Sequence, residues 1–112
     1  MGIWSFFERR RTARIAANLA SEVAQRSIGP VLGRVKRRAG TMRNAEARGY
    51  VRARSLEIVH RELAAVQEGR EKLDPAIQTE IVSLATEAVM VRVLAELRNA
   101  PAETRKPERK AA

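Results

Sequence analysis

The chain has 112 residues with 22 Lys or Arg against 13 Asp or Glu, a net charge of +9 at neutral pH. That length allows one domain at most, and the absence of cysteine excludes a disulfide framework, a thiol nucleophile and a cysteine-based metal site. Much of the apolar content is Ala and only four residues are aromatic, so the core is thin, and thin helical cores gain stability by oligomerising.

The chain opens with Ile3, Trp4, Ser5, Phe6, Phe7 and Glu8, followed by Arg9, Arg10 and Arg11. Ser5 and Glu8 have the spacing of a capping box, which predicts a helix start there. Apolar residues followed by arginines reverse the order of a secretory signal, which points to a cytoplasmic location. The simplest expectation is that Trp4 and Phe7 fold back onto the helices as a plug. The alternative is an interfacial anchor, with Ile3, Trp4, Phe6 and Phe7 among lipid headgroups and Arg9, Arg10 and Arg11 against anionic lipid.

From Ala13 onward Ile15, Ala16, Leu19, Ala20, Val23 and Ile28 share one face, and the pattern predicts an amphipathic helix. Gly29-Pro30 predicts a break. A short second helix is then expected over residues 31–38, with Val31, Leu32 and Val35 as its apolar side and Gly40 as its C-cap. A long third helix is expected over about residues 42–68, capped by Thr41 or Asn44. Its predicted inward stripe is Ala45, Gly49, Ala53, Leu56, Val59, Leu63 and Val66, flanked by Tyr50 and Ile58. Gly49 on that stripe suggests either a close helix crossing or a kink, and Glu57 and Arg61 are spaced to pair.

After a linker over 69–73, Asp74 is the single aspartate and precedes Pro75. Asp accepts hydrogen bonds from a first helical turn and Pro tolerates the first helical position, so a helix is predicted from there to Arg98. The apolar surface of this segment is wide and must be covered from more than one side. It is therefore the central helix of a bundle, or a helix shared with a second subunit in a homodimer. Glu80, Glu87, Arg92 and Glu96 interrupt it too often for a membrane span. Beyond Asn99, two prolines and a run of charges predict a disordered basic tail over residues 100–112. The expected fold class is all-α: a small antiparallel helical bundle of three long helices and one short one, forming a single domain over 1–99.

Chemistry-bearing constellations are sparse. His60 is the single histidine and has no second and third ligand at metal-binding spacing. No serine has His and Asp partners at a recognisable spacing, and no glycine cluster has the form of a phosphate loop. The expectation is a protein without enzymatic activity, metal or cofactor. The remaining feature is charge. Residues 1–54 carry thirteen Lys or Arg against Glu8, Glu22 and Glu46, whereas residues 55–112 are near balance. Such asymmetry points to a polyanionic partner, nucleic acid ahead of an anionic membrane surface. The densest run is Arg34, Lys36, Arg37, Arg38, Arg43, Arg48 and Arg52, and arginine forks suit phosphate. No aromatic or zinc pattern of a sequence reader accompanies them, so phosphate contact is the expected mode.

Overall fold

The computed structural model describes residues 2–99, apart from the side chains of Gly2, Trp4 and Phe6. The described chain is all-α, with three helices: α1 (Gly2–Ala39), α2 (Asn44–Gln67) and α3 (Pro75–Asn99). Each packs against the other two around a single core. The tail over 100–112 lies outside the described residues.

Four helices were expected and three are present, because Gly29-Pro30 does not break α1. The reason lies in the phase of the buried residues. Ala16, Ala20, Val23, Ser27, Val31, Val35 and Ala39 are all buried, at intervals of three and four that pass through Pro30 without a slip. The interior demands one continuous helix. Pro30 itself is exposed, so the helical bond it cannot donate is lost on the solvent side, where water serves the freed carbonyl. The helix also begins at Gly2 rather than at the Ser5 capping box, which falls inside it.

Among the described side chains of residues 2–15 none is fully buried, and the described core starts at Ala16. From there to Ala39 α1 matches the 24 residues of α2 and the 25 of α3. Of the two residues expected to form a plug, Phe7 is 57% exposed and the Trp4 side chain lies outside the described residues; Ile3 is 72% exposed.

Two capping assignments also change. The N-cap of α2 is Arg43, which makes no side-chain cap bond. Thr41 instead closes the end of α1: its amide and its hydroxyl both donate to the Arg38 carbonyl, at 3.1 and 2.8 Å. Gly40 is not in a left-handed conformation. The glycine that needs one is Gly69, with φ of 77°, where the chain leaves α2. On α3 the Asp74 reading holds: Asp74 Oδ1 accepts the Ala76 amide at 3.0 Å.

The inward stripe of α2 is rotated from expectation in its first half. Val51, Ser55, Ile58, Val59, Leu63 and Val66 are buried, while Ala45, Gly49 and Ala53 are exposed. Small residues fit either side, so composition did not discriminate; the row of Val51 and Ser55 with Val59 settles the phase. A Cβ added to Gly49 would meet nothing within 4 Å, so no close helix crossing depends on it.

Each helix places one hydroxyl residue in the core: Ser27, Ser55 and Thr86. Ser27 donates to the Val23 carbonyl at 2.7 Å, but the Ser55 and Thr86 hydroxyls have no partner. A buried hydroxyl without a hydrogen bond is desolvated for no return. Ser55→Ala is therefore expected to raise stability by about 1 kcal/mol, and Ser27→Ala to raise it less or lower it, as read by urea unfolding.

The ion pairs also differ from the sequence reading. Glu57 pairs with Arg54 at 3.0 Å rather than with Arg61. Arg61 turns to Glu62, which also holds Arg26 of α1 at 3.0 Å. Glu62 is the more covered of the two carboxylates, so it gathers both guanidiniums. The hydrogen bond from Arg26, aided by Arg61, holds the Glu62 carboxyl below its ordinary value although burial opposes the shift. A carboxyl with a lowered folded pKa adds stability above its unfolded pKa and loses it as pH falls through the folded value. Glu62→Gln is thus expected to cost less than about 1 kcal/mol at pH 7, since Arg26 is half in solvent. The gap to the parent should close as the pH is taken below the Glu62 pKa in paired thermal melts.

Candidate nucleic-acid interface

Four residues separate α1 from α2, and the basic run sits astride them. Lys36, Arg37 and Arg38 form the last turn of α1, where the helix dipole favours cations. Arg43, Arg48 and Arg52 occupy the cap and first turns of α2, with Glu46 the single acid among them. The two bonds from Thr41 to the Arg38 carbonyl order the start of the connection.

All seven residues, Arg34, Lys36, Arg37, Arg38, Arg43, Arg48 and Arg52, are exposed. Among the described residues none of them is in an ion pair. Arg26, Arg54, Arg61 and Arg92, by contrast, are each paired with a glutamate. Arg54, which the sequence places in the same basic stretch, is drawn off: it bonds Glu57 and lies 5.8 Å from the centre of the Tyr50 ring.

Helical phase shows how the seven are distributed. Arg38 lies three residues after the buried Val35, and Arg48 three residues before the buried Val51, so both continue core-facing rows. Lys36 likewise lies three residues before the buried Ala39, and Arg37 is on the opposite side of α1. The rows that are apolar in mid-bundle become basic towards the connection, and the charges surround that end rather than making one flat patch. On α2 the exposed Ala45 and Gly49 lie beside Arg48 and Arg52, leaving little side-chain bulk to keep a phosphate backbone away.

The membrane-facing alternative is only partly described. Arg9, Arg10 and Arg11 are exposed, as are Ile3 and Phe7; the side chains of Trp4 and Phe6 lie outside the described residues. Among the described residues no helix is long and apolar enough to cross a membrane. His60 is exposed and borders a shallow open recess with Leu63, Gln67 and Gln78. Among the described residues no three His, Cys, Asp or Glu are grouped to hold a metal ion.

Comparison with protein-family models, with curated proteins and with solved structures finds no match. The functional reading therefore rests on this chain's own residues.

Proposed function

We propose that the chain is a non-enzymatic, basic nucleic-acid-binding protein that contacts phosphates through the arginine-rich end between α1 and α2. In this reading the helices form a small antiparallel bundle, so that both sides of the connection present their bases at one end. The observation that carries it is the state of the seven residues: all are exposed and none is ion-paired among the described residues, whereas the arginines bound to carboxylates lie elsewhere. Unpaired arginines in one place raise the local potential and keep their forks available for phosphate. The charges surround the end of the bundle, so the contact is with the backbone of the polyanion and carries little base reading.

The test is fluorescence anisotropy of nuclease-treated protein with a labelled DNA duplex and an RNA of equal length, across a salt series. Affinity should fall steeply with salt, with a slope corresponding to about 4–7 phosphate contacts, and vary little with sequence. Absence of binding at low salt would overturn the reading.

A second reading is supported by the 72% and 57% exposure of Ile3 and Phe7, ahead of the first buried residue described, Ala16. Here residues 1–8 insert at an anionic lipid surface, backed by Arg9, Arg10 and Arg11. Deleting residues 1–8 should then release the chain from anionic vesicles; retention after the deletion would remove this reading.

A further inference from the structure

The outward side of α3 has no role in the basic end. Leu84, Ala88, Val91 and Ala95 follow at intervals of four, three and four residues, the alternation of a coiled-coil seam. Leu84 is 46% exposed and Val91 63%; Ala88 is exposed and Ala95 half-buried. The opposite side of the helix, carrying Ile81, Ala85, Val89 and Val93, is the one buried in the core. The seam is about 16 Å long at the rise of an α-helix.

Charge identifies what covers it. Glu80, Glu87 and Arg98 lie along the same exposed side and are in no ion pair among the described residues. The helix carries three Glu against two Arg, whereas α1 carries nine Lys or Arg against two Glu. The outer face of α3 is therefore where two strongly basic chains meet with least repulsion.

We infer that this face binds a second copy of the chain, with the two α3 helices antiparallel. A register centred between Val89 and Met90 sets Leu84 opposite Ala95 of the second copy and Ala88 opposite its Val91. The same register brings Glu80 of each copy to Arg98 of the other, two symmetric ion pairs. A parallel pairing would set Glu80 against Glu80 and Glu87 against Glu87, like charges facing each other. The seam is short and buries less than the roughly 1,200 Å² of a standard interface, so the dimer is weak and concentration-dependent.

The experiment is sedimentation velocity on the full chain, free of nucleic acid, from about 1 to about 200 μM. The expected result is a shift from monomer to dimer within that range, removed by Val91→Glu and by Leu84→Lys with helicity unchanged. Glu80→Arg and Arg98→Glu should each weaken the dimer about threefold to tenfold, and the double swap should restore it. Arg98→Glu is the sharper arm, because lowering the net charge would by itself favour association. A monomer at every concentration overturns the proposal. So does a dimer that survives both Val91→Glu and Leu84→Lys, or a double swap that fails to restore what the single swaps lose.

Discussion

Reversing Arg37, Arg38, Arg48 and Arg52 to Glu together is expected to lower affinity for duplex DNA by at least about 100-fold near physiological salt, because each phosphate contact adds close to one unit of salt slope. The slope itself should fall by about 3–4. The loss should be equal for unrelated sequences, since phosphate contacts carry no sequence information. Stability should change little: all four side chains are exposed and none is ion-paired among the described residues. The control is reversal of Arg9, Arg10, Arg11 and Arg14, the same change of net charge at exposed positions nearer the start of α1. If the basic end is the site, the control keeps most of the affinity. Equal loss in both variants would mean that net charge alone drives the binding, and the assignment to residues 34–52 would fall. Melting curves and anisotropy titrations on the three proteins suffice.

Ile81→Ala is expected to cost about 2–5 kcal/mol, the range for removing a large aliphatic side chain from a packed core. Ile81 heads the largest fully buried side chains and has no exposed surface. The core around it is mostly Val and Ala, whose short side chains cannot move far to fill a cavity. Against a total of about 5–15 kcal/mol for a domain, that loss lowers the melting temperature by ten degrees or more. Leu84→Ala, three residues along the same helix, removes as much side chain from the exposed face. Measured in dilute solution, it should change stability by no more than about 0.5 kcal/mol. Circular dichroism melts of the pair check which side of α3 is inside. Comparable losses would mean that both sides of α3 are packed.

Much of the architecture was readable from residue order. Asp74-Pro75 marked the start of α3, and the hydrogen bond from the Ala76 amide to Asp74 is the interaction that the pairing of a capping acid with proline implies. The second half of α2 was legible because Val59, Leu63 and Val66 are large, apolar and in phase. Its first half was not, because Ala45, Gly49 and Ala53 are small enough to lie on either side. The seven basic residues were identified from density of charge alone. Arg54 was not among them, and its contacts with Tyr50 and Glu57 lie within one turn of α2 on either side of it.

Local chemistry settled the helical class, the start of α3, the charge asymmetry and the lack of any cysteine-based site, because each follows from a residue's own shape, charge or neighbours in sequence. Packing decided the rest. Whether Gly29-Pro30 ends a helix is a contest between a local cost and the burial of Val31 and Val35, and the buried row won. Which side of α3 stays in water, with Leu84 and Val91 outward, depends on where α1 and α2 lie against it. Three helices of this length can cover only one another's inner sides, and an apolar helix with more than one greasy face must leave part of it for solvent or for a second chain.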